Sequence, residues 1–196
     1  MKVPTFRLLV AGVGGQGALT AGRLVGEAAM LAELPVMVGQ LHGMSQRGGP
    51  VECSVVVGEV RSAHIGAGTA DVVVGLEPME TRRALPYMGP HTRVVASGAV
   101  IVPFELAIRG ELYPELEQLL GPVRRAAAEM HLVDARDLAT RAGLVRTMNV
   151  VMLGALAGLG ALPFAGEFIW QAIERRIHPR FQEVNRRAFD LGRQAV

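Results

Sequence analysis

Phe6-Arg7-Leu8-Leu9-Val10-Ala11-Gly12-Val13-Gly14-Gly15-Gln16-Gly17, followed at once by Ala18-Leu19-Thr20-Ala21, is the stretch that decides the fold. Arg7–Ala11 shows no polar–apolar alternation and reads as a strand buried on both faces. Gly12–Gly17 is a glycine loop, and Ala18–Leu34 has helical spacing through Leu19, Leu24, Val25, Ala28 and Leu31. Strand, tight turn and helix in this order open an α/β fold. Working outward, Pro35–Val38 reads as a second strand and Leu41–Pro50 as a loop. Val51, Cys53, Val55 and Val57 alternate with polar neighbours, and Gly58-Glu59 can turn the chain into Val60–Ile65, which predicts a β-hairpin. Further strands are expected at Asp71–Leu76, Arg93–Ala96 and His131–Val133. Helices are expected at Pro78–Leu85, Asn149–Leu162 with Asn149 as N-cap, Glu167–Ile177 and Pro179–Arg193, the last with a stripe of Phe181, Val184, Ala188 and Leu191. The architecture expected is a three-layer α/β/α sandwich around a mixed, mostly parallel sheet with one hairpin. Residues 1–196 should form a single domain, with the helices from about 149 packing on the sheet or on a partner.

The glycine loop fits G-x-G-x-x-G between a strand and a helix, so the freed N–H groups of the helix start face an anion. A dinucleotide also needs an acid about 20 residues further on for the ribose. Val38, Gly39 and Gln40 stand there instead. Another phosphate-bearing ligand, or contact with a partner chain, fits better than NAD or FAD. A turn that binds nothing is the plain alternative. Leu41–Pro50 concentrates His42, Ser45, Gln46 and Arg47 among glycines at the carboxyl end of a strand, where open α/β sheets bind ligands. Arg47 can fork onto a carboxylate or phosphate, Gln46 can donate and accept, and His42 can shuttle a proton. A solvated loop is the alternative there.

Composition removes several classes. The net charge of +2 comes from dispersed arginines with no basic stripe, against nucleic-acid binding. One cysteine, Cys53, cannot staple a disulfide framework, bind zinc or ligate an iron–sulfur cluster. Its place among inward valines reads as a buried thiol. Val150–Leu162 is apolar but falls short of the roughly 20 residues a membrane span needs, so a buried core helix is expected. In that helix Gly154 and Gly158 offer a face for close backbone approach. A strand starting at Phe6 leaves no room for a signal peptide, and the expected setting is cytoplasmic. Asp134 and Asp137 can face a ligand, although Asp137 better suits a helix cap. His64, His91, His131 and His178 form no ligand pattern, and Trp170 reads as a packing residue.

Beyond these readings, "GVGGQGALTAGRLVGEAA" at Gly12–Ala29 and "HGMSQRGGPVECSVVVG" at His42–Gly58 resemble the gamma-type domain of 2-oxoacid:ferredoxin oxidoreductases. The wording His-Gly-Met-Ser-Gln-Arg-Gly-Gly is most similar to the indolepyruvate branch. The resemblance continues through Ala70–Met88, Val133-Asp134-Ala135, Asn149–Gly158 and Glu183–Gly192, nearly the whole chain. Glu52-Cys53 departs from it. The resemblance implies oxidative decarboxylation of an aryl 2-oxo acid with coenzyme A to acyl-CoA and carbon dioxide, reducing ferredoxin. It further implies a larger catalytic partner subunit that brings thiamine diphosphate, Mg and [4Fe–4S] clusters. The chain alone should hold none of these and be inactive by itself. Coenzyme A is a possible ligand, and Gly12, Gly14, Gly15, Gln16, Gly17, His42, Ser45, Gln46, Arg47, Gly48 and Gly49 are the residues expected to line its site or the subunit crevice. Rival expectations are a pyruvate or 2-oxoglutarate gamma subunit, a dinucleotide-binding reductase, and a ligand-free scaffold. No catalytic or metal-binding residue is expected.

Overall fold

A computed structural model describes residues 4–42, 48–102 and 108–196. Six strands form one sheet: β1 (Phe6–Val13), β2 (Val36–His42), β3 (Pro50–Val57), β4 (Val72–Gly75), β5 (Arg93–Ser97) and β6 (Glu129–Val133), in the spatial order β2-β3-β1-β4-β5-β6. From β1 to β6 the neighbours are parallel. Buried on both faces from Leu8 onward, β1 is the central strand that its unbroken apolar run predicts.

The helices are α1 (Ala18–Leu31), α2 (Pro78–Arg83), α3 (Leu116–Ala126), α4 (Ala135–Ala142), α5 (Met148–Gly158), α6 (Glu167–Glu174) and α7 (Gln182–Arg193). One core cluster joins one face of the sheet to α1, α4, α5, α6 and α7. A smaller one, with Leu119, Leu120 and Val123 of α3, fills the other face. The three-layer expectation holds.

The hairpin needs correction. Val60–Ile65 forms no strand; β3 pairs antiparallel with β1, from Phe6↔Val57 to Val13↔Pro50, and with β2, from Val36↔Val57 to His42↔Val51. The hairpin is therefore β2–β3, closed by the residues between His42 and Pro50. Alternation identifies a strand but not its neighbour. Residues 60–65 instead run back over the sheet, close enough that a Cβ on Gly39 would sit 2.9 Å from Ala63 Cβ.

Smaller departures have local causes. Helix α3 escapes the sequence reading because Pro122 lies inside it. Asn149 is not an N-cap; Thr147 holds that place and Asn149 lies in the first turn of α5. Likewise Asp134, not Asp137, caps α4, accepting the Asp137 N–H at 2.9 Å. The last expected helix is a 3-10 turn at Pro179–Phe181 followed by α7, whose buried face is Asn185, Ala188, Phe189 and Gly192. Phe181 is exposed.

Trp170 packs against Phe189 at 5.8 Å, as expected of a packing residue. Cys53 is fully buried against Gly22 of α1, and loss of hydration pushes its thiol up to about 11. The glycine face of α5 is used inside the chain. A Cβ on Gly154 would lie 2.0 Å from Phe189 O, and one on Gly192 1.9 Å from Val151 O, so α5 and α7 touch backbone to backbone. Replacing Gly192 with alanine forces the helices apart, and overpacking of this kind costs about 3 kcal/mol. Denaturant unfolding of Gly192→Ala should show a loss of that size, while an alanine at Gly15 or Gly48, whose surroundings are open, meets only backbone strain.

Candidate functional site

Helix α1 packs on one face of the sheet after β1, whereas α2 leaves β4 toward the other. The connections diverge at the carboxyl ends of β1 and β4, the kind of crevice where open α/β sheets bind ligands. A cleft of about 590 Å³ opens there. Val13, Gly14, Gly15, Gln16 and Gly17 form one side; Leu76, Ser97 and Ile101 form the floor and far wall; Met148, Asn149 and Met152 close it from α5, with Arg146 from the 3-10 turn Val145–Thr147 just before that helix. Its volume is typical of small-molecule clefts, about 300–1,000 Å³.

The glycine loop is braced by its own side chain. Gln16 Oε1 accepts the Val13 N–H at 2.8 Å and Gln16 Nε2 donates to Leu76 O at 2.9 Å, stitching β1 to β4 across the crevice. Gly15 and Gly17 adopt φ of 103° and 86°, the left-handed region that glycine enters without strain. Gly17 caps α1 with no side-chain acceptor. The N–H groups of Gly15, Gly17 and Ala18 have no acceptor among the described residues. They leave an electropositive helix start beside the cleft. Among the described lining residues Arg146 is the one ionisable side chain, and there is no carboxylate. Free N–H groups, one guanidinium and an apolar floor suit a ligand with an anionic group on an uncharged body.

Dinucleotide binding fits this geometry poorly. In that fold the ribose acid stands at the end of the strand next to β1. Here antiparallel β3 occupies that position and presents Pro50 opposite Val13. The Gly14 N–H is also spent on Gly49 O at 2.8 Å.

The expected site residues divide into three groups. Gly14, Gly15, Gln16, Gly17 and Gly48 come together at the cleft. Gly49 supports Gly14 through its carbonyl, and Gly12 lies within β1, packed by Gln16 and Leu76. His42 ends β2, its backbone opposite Val51. Ser45, Gln46 and Arg47 lie outside the described residues. Sequence reading missed Arg146, Asn149 and Ser97. No motif marks Arg146, and Asn149 had been assigned to capping; tertiary packing alone brings them to a loop about 130 residues earlier in the chain.

The described residues contain no group of three or more His, Cys, Asp or Glu able to hold a metal ion. No helix among them is long and apolar enough to cross a membrane.

Comparison with known proteins agrees with the fold. Residues 7–195 match the family model of pyruvate ferredoxin/flavodoxin oxidoreductase. The chain is 37% identical to indolepyruvate oxidoreductase subunit IorB of Archaeoglobus fulgidus, over 95% of this chain and 93% of that one. It is 29% identical to 2-oxoglutarate synthase subunit KorC of Methanothermobacter marburgensis, over 95% and 94% of the two chains. The 2-oxoglutarate:ferredoxin oxidoreductase of Magnetococcus marinus, solved with 2-oxoglutarate, coenzyme A and succinyl-CoA bound, superimposes with a TM-score of 0.74 at 18% identity, covering all of this chain and 31% of that longer one. A strand order and glycine loop of this kind, with a family match along almost the whole length, place the chain in the pyruvate ferredoxin/flavodoxin oxidoreductase family, as a gamma-type subunit of an oxoacid oxidoreductase.

Proposed function

We propose that the chain is the small subunit of an indolepyruvate ferredoxin oxidoreductase, acting as one gamma-type unit over residues 1–196, and that its cleft seats a phosphate of coenzyme A. The observation that carries the reading is a cleft with no carboxylate among its described lining residues, where Arg146 meets the Gly15, Gly17 and Ala18 N–H groups that have no acceptor among the described residues. A helix start and a guanidinium recognise phosphate by dipole and by charge-assisted hydrogen bonds. The higher identity to an indolepyruvate subunit than to a 2-oxoglutarate one favours an aryl 2-oxo acid. In this family a protein of the same fold is known with coenzyme A bound. Gln16 holds the loop and Gly49 supports it, while Arg146 and Asn149 face the ligand. Ser45, Gln46 and Arg47 belong to the same proposal on the strength of the sequence.

The residues of this chain do not fit the redox groups. Its one cysteine is a buried thiol whose ionisation is suppressed, so no ligand set for a [4Fe–4S] cluster exists. Gly-Asp-Gly, which marks a thiamine diphosphate metal site, does not occur in the sequence. Both groups belong with a larger catalytic subunit, which also passes electrons to ferredoxin. This chain supplies binding and orientation in a cytoplasmic complex.

In the reconstituted complex, Arg146→Ala removes a hydrogen bond to a charged group, and the KM for coenzyme A should rise roughly tenfold while that for indolepyruvate stays constant. An unchanged KM for coenzyme A sinks the cleft assignment. In calorimetric titration the complex should bind coenzyme A and give no heat with NADH; the reverse pattern would restore the dinucleotide reading.

A further inference from the structure

Directly behind the cleft wall lies a carboxylate that ligand binding leaves unused. Glu77 is 1% exposed and follows Leu76 of the cleft floor. Its Oε2 accepts the N–H groups of Met79 at 2.7 Å and Glu80 at 3.1 Å, capping α2. Capping needs no more than that, and Asp, Asn or Ser serve it with shorter side chains. The second oxygen does something else. Oε1 accepts the Tyr113 hydroxyl at 2.5 Å and faces the Ile101 N–H at 3.5 Å. Tyr113 in turn accepts the Met79 N–H at 3.2 Å.

One side chain thus joins three segments: the exit of β4, the stretch 98–102 leaving β5 with cleft residue Ile101, and the stretch 111–115 entering α3. The stretch 98–102 leaves the sheet after β5, and strand pairing does not hold Ile101 in place. Glu77 has no cationic partner among the described residues, so these hydrogen bonds are what satisfy its buried oxygens. Burial and the adjacent carboxylate raise the Tyr113 phenol far above its ordinary range, so it remains a donor throughout the physiological range.

We propose that the Glu77–Tyr113 hydrogen bond is a latch that fixes the Ile101 wall of the cleft, making both side chains positioning residues for coenzyme A. The proposal rests on the cleft assignment above.

Two variants separate the latch from the cap. Tyr113→Phe keeps the ring and removes the donor. Glu77→Asp keeps a carboxylate well suited to capping but is one methylene short of Tyr113. In the reconstituted complex each should raise the KM for coenzyme A by roughly fivefold to tenfold, with kcat and the KM for the 2-oxo acid unchanged. The double variant should be no worse than either single one, because both remove the same bond. Amide hydrogen exchange should quicken in 98–102 and 111–115 in both variants and stay constant in α1. Unaltered exchange in these segments overturns the latch whatever the kinetics show. Faster exchange with an unaltered KM for coenzyme A, in a complex where Arg146→Ala does raise that KM, overturns the positioning role. If Arg146→Ala also leaves it unaltered, the cleft assignment has failed and the positioning role falls with it, while exchange alone still decides whether the latch exists.

Discussion

Antiparallel pairing of β3 with β1 on one side and β2 on the other is the constraint on which the rest of this molecule depends. A parallel neighbour in that place would have carried its own helix crossover and left the end of β1 free. The inserted strand instead brings Gly48–Pro50 alongside Val13 and Gly14, so the glycine loop meets the start of β3 where a dinucleotide fold would place a ribose. Gly14 spends its N–H on Gly49, and the loop N–H groups without an acceptor among the described residues are those of Gly15, Gly17 and Ala18. One hydrogen-bonding register thereby takes a widespread phosphate motif out of the geometry that a dinucleotide needs.

The opposite side of the cleft depends on close approach. Gly154 and Gly192 let α5 and α7 meet with backbone in contact, which presses α5 against the sheet and carries Met148, Asn149 and Met152 to the cleft. Packing at that range is dense and unforgiving, because any added carbon has only peptide groups to displace. On the sheet side, Gly75 is similarly close to Thr81, so α2 begins tight against the end of β4 and sets the direction of Leu76 and Glu77. Beside the loops that line the cleft, its shape thus depends on helix contacts well away from it.

Much of this was legible in the residues. The first strand, glycine loop and helix follow from an apolar run, a turn requirement and a helical period, all local. Cys53 reads correctly as buried because alternation along β3 is also local. What failed was pairing: Val51–Val57 announces a strand but carries no address for its partners, and a nearby apolar segment, Val60–Ile65, offered a false one. Pro122 hid α3 by breaking a local rule that tertiary packing of Leu119, Leu120 and Val123 overrides. On the site, the glycines were found through backbone geometry that sequence encodes directly. Arg146 and the Glu77–Tyr113 pair were not, since an isolated arginine or tyrosine acquires meaning only from what folding sets beside it.

The sealed position of Cys53 carries one more consequence. The subunit's sole thiol sits between β3 and Gly22 with its ionisation suppressed, so it offers no nucleophile to the outside. In the role proposed above, the chain would work beside a thiol cosubstrate and a thioester, two species that exchange readily with protein sulfur. With its sulfur kept inside, it would escape both mixed-disulfide formation and acyl capture there.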